Sequence, residues 1–361
     1  MSTDNQFDLS LIETLSNLSG VSGAESAVRE RVMKEIKPFA DEIQVDPLGN
    51  LLVACRGEES GPRMKVMVAA HMDEVGFMLT AEDDDGCYRF AKVGGISEKY
   101  LTGKSVWVGK EQVPGVIGLT PIHLTEKKDR KNFVPLKKLR IDVGAGSADR
   151  VQVGERAVFA TPFKQVGDSL IGKAFDDRLG VAILIELIKR APKHIDLLAA
   201  FTVQEEIGLR GAHVAAYKLN PECSIVLDTT AARDFPVWEE GVENAFYNTR
   251  LGKGAAVYTA DSGTISDPRL VQYLLRVGEE EDLSFQFRQP GGGRTDAAAI
   301  HRQRSGIPSV SISVPTRYLH SPVSLVRVED YQATLNFVEA ALKRISPDIL
   351  SPMGAWRWRK G

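Results

Sequence analysis

The sequence predicts an α/β protein: a mostly parallel central sheet covered by helices, with a small β-barrel-like domain inserted into it. Three observations carry that expectation. Four runs, "MKVMVAAH" (64–71), "IDLLAAFTV" (195–203), "CSIVLD" (223–228) and "IPSVSISV" (307–314), are too uniformly apolar for half-exposed strands. Helical patterns lie between them, and that alternation marks a covered parallel sheet. Residues 75–164 differ, being Gly-punctuated, β-rich and free of a convincing long helix.

Taken in order, residues 8–38 read as two helices broken at "SGVSGAES", where Ser22 or Ser26 could cap the second. Short strands follow in "EIQVD" and, after the turn at Pro47–Asn50, in "NLLVACRG". The pattern "RLGVAILIELIKR" (178–190) is apolar nearly all round and should be buried. Further helices are expected over 208–219, 267–281, 294–304 and 328–345. Residues 1–74 and 165–346 then form one domain, 75–164 the insertion, and 347–361 a C-terminal tail. Within the insertion, residues 126–140 carry seven basic and two acidic side chains, which reads as a solvated loop. The tail interleaves tryptophan with arginine, and disorder or packing on its own chain is favoured over a binding role.

Composition narrows the function classes. The 361 residues are 43% hydrophobic and 26% charged, ordinary for a soluble globular protein long enough for two domains. A net charge of −3 gives no reason to expect nucleic acid or an anionic membrane as partner. No apolar run approaches the roughly 20 residues of a membrane helix, and the polar, then amphipathic N-terminus does not read as a secretory signal. Cys55, Cys87 and Cys223 are far apart and lack metal-ligand spacing, so they read as reduced thiols. A cytoplasmic protein is the expectation.

Chemistry concentrates where the strands end. "MKVMVAA" runs into His71 and Asp73, and "IDLLAAFTVQ" into Glu205 and Glu206. "CSIVL" ends at Asp228, "SLIGKAF" leads to Asp176 and Asp177, and His320 follows the last apolar run. In parallel sheets ligands bind beyond the carboxyl ends of the strands, so these groups converge if their strands share one sheet. Singly each has an ordinary explanation, as a turn residue, a helix cap or a solvated strand end; jointly those explanations are strained. Carboxylate and imidazole without thiolate suit a hydrolytic Zn²⁺, Co²⁺ or Mn²⁺ site. Three carboxylates and two neutral imidazoles outweigh one divalent ion and are nearly balanced by two sharing a carboxylate.

The phrases "AAHMDEVGFM", "GKAFDDRLG", "FTVQEEIGLRGA", "VLDTT", "GGGRTDAAAIH" and "SVPTRYLHSPVSL" resemble the di-metal aminopeptidases of metallopeptidase family forty-two, in order from about residue 8 to 345. By that resemblance His71 binds one metal and His320 the other, Asp176 bridges them, and Glu206 and Asp228 complete one ligand set each. Glu205 would be the general base and Asp73 the acid that orients His71. The resemblance also implies a cis peptide after Asp176, dimers formed through the insertion, and twelve-subunit shells built from them. It implies two divalent ions per subunit, Zn or Co, and peptide substrates with a free N-terminus. Two rivals stay open: a deacylase or carboxypeptidase with the sister group's metal layout, and a catalytically silent metal-stabilised assembly protein. Arg233, Arg294 and Arg317 lie in segments near the expected site and leave an acidic side-chain preference open.

Overall fold

The computed structural model describes residues 8–58, 63–83, 86–124, 126, 134–235 and 248–351. The tail beyond 351 and much of the basic 126–140 segment lie outside them. The chain opens with α1 (Ser10–Asn17) and α2 (Ser26–Ile36), then β1 (Glu42–Val45), β2 (Leu51–Cys55) and β3 (Met64–His71). Six strands follow: β4 (Gly76–Glu82), β5 (Cys87–Val93), β6 (Ser105–Val108), β7 (Val113–Gly118), β8 (Arg140–Asp142) and β9 (Arg156–Phe159). They close an antiparallel barrel in the order β4-β5-β8-β7-β6-β9. Phe77, Tyr88, Phe90 and Phe159 fill it, with Phe77 edge-on to both Phe90 and Phe159 at 5.2 Å.

After β10 (Lys164–Val166) and β11 (Ser169–Gly172) the chain alternates: α3 (Phe175–Lys189), β12 (Ile195–Thr202), α4 (Arg210–Leu219) and β13 (Cys223–Ala231). It continues through β14 (Ala255–Tyr258), α5 (Pro268–Glu280), β15 (Phe285–Arg288), α6 (Ala297–Ile300), β16 (Ser309–Thr316), β17 (Ser324–Arg327) and α7 (Val328–Arg344). The eight-stranded sheet has the order β1-β2-β12-β3-β13-β16-β14-β15. Its centre, β12-β3-β13-β16, is parallel, and all eight residues of β12 and of β16 are buried, as continuous apolar runs require.

Strand alternation sorts the two faces. Val66, Val68 and Ala70 of β3 point into the larger core with α1, α2, α3, α5 and α7. Met67 and Ala69 point to the other face, under Ala212, Ala215 and Ala216 of α4 and the alanines of α6. Small residues there let the helices lie close to the sheet. Helix α5 starts as its sequence indicates, with Pro268 in its first turn and the Asp267 carboxylate accepting from the Arg269 N–H.

Three local expectations need correction. Neither Ser22 nor Ser26 caps α2; the cap position is Glu25, and the Ser22 hydroxyl donates to Asp73 instead. The helix expected over 294–304 is only Ala297–Ile300, because Arg304 (φ +54°) and Gly306 (φ +98°) turn the chain back into β16. Strand β11 pairs with β10 and β17 in a separate three-stranded sheet, so Asp176 enters the site from beside the main sheet.

Candidate metal centre

Register places the first candidate ligands. His71 is opposite Thr202 in the β3–β12 pair, and Val226 is opposite Ala69 in the β3–β13 pair, which sets Asp228 level with His71. His71 and Asp228 share the parity of Met67, Ala69 and Val226, so both face the α4/α6 side. Asp228 lies within β13 rather than at its exit, since that strand continues to Ala231 beside β16.

Asp176 arrives differently. Ala174, in the left-handed region at φ +56°, turns the chain from β11 into α3, and the Asp176–Asp177 peptide is cis. Asp177 Oδ2 accepts from the His71 N–H at 3.3 Å and its Oδ1 from the Gly180 N–H at 2.9 Å. Only glycine fits at position 180, where a Cβ would stand 2.4 Å from both Asp177 oxygens. Behind this turn, Glu74 joins Lys173 (2.8 Å) and Arg178 (3.3 Å) in a buried ionic cluster. Arg178 also donates to the carbonyls of Met72, Leu15 and Leu18, tying the N-terminal helices to the site.

Six groups converge. His71 Nε2 is 3.1 Å from Asp176 Oδ1 and 4.0 Å from Asp228 Oδ1. On the other side of Asp176, His320 Nε2 is 3.3 Å from Oδ2 and 3.4 Å from Glu206 Oε2. Two triads result, His71–Asp176–Asp228 and Asp176–Glu206–His320, sharing Asp176, each with donor atoms within 4.8 Å of one another. Glu205 belongs to neither. It lines an open cavity of 590 Å³ together with His71, Asp176, Asp228 and His320. Glu206 instead lines a separate 20 Å³ space, with Glu74, Lys173 and Asp176. Adjacent glutamates thus face different spaces.

Hydrogen bonds fix which imidazole nitrogen faces the carboxylates. His71 Nδ1 is 3.1 Å from the Asp73 carbonyl and 3.5 Å from its carboxylate; His320 Nδ1 is 3.1 Å from the Gly95 carbonyl. Each Nδ1–H therefore has a backbone acceptor, leaving Nε2 for a ligand. Gly95 belongs to the loop after β5, so the barrel contributes a brace to the centre. Asp73, fully buried, does more than face an imidazole. Its carboxylate accepts from Glu205 N–H (3.0 Å), Glu206 N–H (3.2 Å) and Ser22 Oγ (2.6 Å), holding the whole glutamate turn.

Electrostatics fit a cation-binding donor set. Burial pushes the carboxyls of Glu205 and Asp228 well above the usual range and that of Glu206 up to about 7, with neighbouring carboxylates adding repulsion. Burial alone would lower His320, but its hydrogen bond to Asp176 and the glutamate charges carry it up to about 10. Asp176 moves down, because its bonds to both histidines outweigh its burial. Glu206 Oε1 is buried without a hydrogen-bond partner among the described residues. A cation bound by these groups would supply a partner for that oxygen and relieve the repulsion.

Some contributors were not singled out from the sequence. Gly95, Lys173 and Arg178 act through contacts distant in the chain, although Lys173 and Arg178 do flank Asp176 in "GKAFDDRLG". Arg233 and Arg294 line the cavity, whereas Arg317 does not; it pairs with Asp234 at 2.6 Å. Arg288, never flagged, lines the cavity too.

The family model for M42 glutamyl aminopeptidase matches residues 49–337. A putative aminopeptidase of Acetivibrio thermocellus is 35% identical, covering 95% of this chain and 100% of its own. The lysyl aminopeptidase of Pyrococcus furiosus is 32% identical (96% and 99% covered), and the glutamyl aminopeptidase of Lactococcus lactis 30% (93% and 96%). Among solved structures, aminopeptidase APDkam598 from Desulfurococcus kamchatkensis superposes with a TM-score of 0.89 at 32% identity, over 97% of this chain and 98% of that one. The TET1 peptidase of Pyrococcus horikoshii, which can assemble into a tetrahedron or a large octahedral shell, gives 0.80 at 34% identity, over 93% and 99%. Full-length similarity, a matching family model and the paired triads lead to one conclusion: this chain belongs to the M42 glutamyl aminopeptidase family, a family of metallopeptidases.

Proposed function

We propose that the chain removes N-terminal residues from peptides with Glu205 as general base, at a centre whose metal ligands are His71, Asp176, Glu206, Asp228 and His320. The carrying observation is that two triads share Asp176 while Glu205, outside both, faces the open cavity. Two divalent ions suit that arrangement, and Zn²⁺ or Co²⁺ suits its oxygen and imidazole donors. When bound, they supply Lewis acidity at the scissile carbonyl and bring the pKa of a water towards about 7.

The protein's own groups do the rest. Glu205 accepts a proton as the water oxygen bonds to the carbonyl carbon; as the C–N bond breaks, it returns that proton to the leaving amine. Asp73 holds the Glu205 and Glu206 amides, and so the base, against the end of β3. The acidic groups lining the cavity receive the substrate's free α-amine.

The catalytic domain is assigned to 1–74 and 165–346, with 75–164 as an inserted dimerisation domain and 347–361 as a tail. Exposed Tyr100, Trp107, Val116 and Leu124 on the barrel support its use as a contact surface. Assembly of dimers into a dodecamer is part of the proposal, supported by a solved dodecamer of PhTET1, 33% identical to this chain. So is a cytoplasmic location, supported by cysteines that form no disulfide. No helix among the described residues is long and apolar enough to cross a membrane.

Replacing Glu205 with Gln tests the reading. The variant should bind zinc like wild type and lose roughly a thousandfold or more in kcat on leucine p-nitroanilide. Near-wild-type turnover would remove Glu205 from the mechanism.

A further inference from the structure

The cavity wall carries charge of both signs: His71, Asp176, Glu205, Asp228 and His320 line it, and so do Arg233, Arg288 and Arg294. Among the described residues, no carboxylate lies within ion-pair distance of Arg288 or Arg294. Arg288 is only 5% exposed, and a guanidinium that deep normally has an anionic partner.

Its position is built. The Arg288 guanidinium lies 4.8 Å from the centre of the Tyr258 ring, itself part of the cavity wall. Nη1 donates to the Ala260 carbonyl at 3.3 Å and Nη2 to the Gly292 carbonyl at 2.5 Å. Those bonds use two of five N–H groups, and the buried Nε–H has no partner among the described residues. The chain beside it is shaped for close approach: Gly291, Gly292 and Gly293 line the wall, and Ser262 holds the Gly293 carbonyl at 2.6 Å. Arg294 follows at the exposed lip.

We propose that Arg288 and Arg294 form a carboxylate-binding subsite in the cavity that the metal centre also lines, with Arg288 the main specificity-determining residue. The inference rests on the aminopeptidase reading above. Relatives in the family are named for lysine in one case and for glutamate in another, so membership does not choose the side chain. Arg288 and Arg294, with no carboxylate partner among the described residues, do: they reject a lysyl side chain and attract a carboxylate. That carboxylate is either the side chain of an N-terminal Glu or Asp, or the terminal carboxylate of a short peptide.

Zinc- or cobalt-loaded enzyme separates the sources. With p-nitroanilides, which have no terminal carboxylate, kcat/KM for the glutamyl substrate should exceed that for its isostere, the glutaminyl one, by about tenfold or more. Arg288→Gln should collapse that ratio towards unity. Arg294→Gln, at an exposed residue whose replacement does not threaten folding, should reduce it in the same direction. If the terminal carboxylate is the ligand, the glutamyl/glutaminyl ratio is flat. Leu-Gly then outpaces Leu-Gly amide by a similar factor, and the same substitutions erase that difference; this result also supports the subsite. Cleavage of leucine p-nitroanilide with both ratios flat, or with the lysyl substrate preferred, overturns the subsite alone. Failure to cleave any of these substrates overturns the aminopeptidase reading and the subsite with it.

Discussion

Asp73→Asn is the perturbation the structure specifies most tightly. The side chain keeps its shape but exchanges one acceptor oxygen for an NH₂ donor. At Oδ2 the amide would face Ser22, whose hydroxyl can reverse to accept, and the Glu206 N–H, which cannot. At Oδ1 it would face the Glu205 N–H. Either way one buried backbone donor of the glutamate turn loses an ionised acceptor. A hydrogen bond to a charged group contributes about 1.5–3 kcal/mol, so stability should fall by about 2–3 kcal/mol. The turn also carries the proposed base and a proposed ligand, so kcat should drop by about 10–100-fold even where metal is retained. Urea unfolding measures the first quantity and leucine p-nitroanilide turnover at saturating zinc the second. Ser22→Ala, which leaves both amides bonded to a carboxylate, should cost only about 1–2 kcal/mol. An Asn variant with an unchanged urea midpoint and kcat within about twofold of wild type would refute the reasoning.

Other expectations follow from the same geometry. Gly180→Ala puts a methyl 2.4 Å from the Asp177 oxygens that hold the His71 amide; thermal unfolding should show a loss of about 1–3 kcal/mol, and an unaltered midpoint would mean that the turn relaxes freely. His320→Ala removes a donor from one triad only, so bound zinc per chain should fall without vanishing, as metal analysis after dialysis would show; unchanged stoichiometry contradicts its role as ligand. The Glu206 carboxyl, pushed up to about 7 by burial, must lose its proton to bind a cation. Zinc affinity should therefore weaken as pH falls through 7, by about tenfold per unit for each competing proton, and equal calorimetric affinities at pH 5.5 and 7.5 would contradict that.

Much of the centre was legible because catalytic chemistry breaks local patterns. Paired glutamates after an apolar strand, a doubled Asp before a buried helix, and histidines just past strand runs all conflict with ordinary burial, so they stand out. The covered parallel sheet was legible for the converse reason: uninterrupted apolar runs such as "IDLLAAFT" have no half-exposed face. The sequence alone therefore determined the fold class, the presence of the insertion and which residue types were available for chemistry.

Only the tertiary structure decided how those residues divide the work. Glu205 and Glu206 are indistinguishable neighbours in the chain, yet one faces the open cavity and the other a separate small space. The brace on His320 comes from Gly95, 225 positions away, and the acid beneath the glutamate turn is more than 130 positions before it. Arg288 ends an unremarkable strand, and that no carboxylate among the described residues reaches it emerges only from the folded arrangement. Hydrogen bonds and Coulomb interactions act over a few ångströms, whatever the separation in sequence. Local spacing can nominate the groups; folding decides which atoms meet.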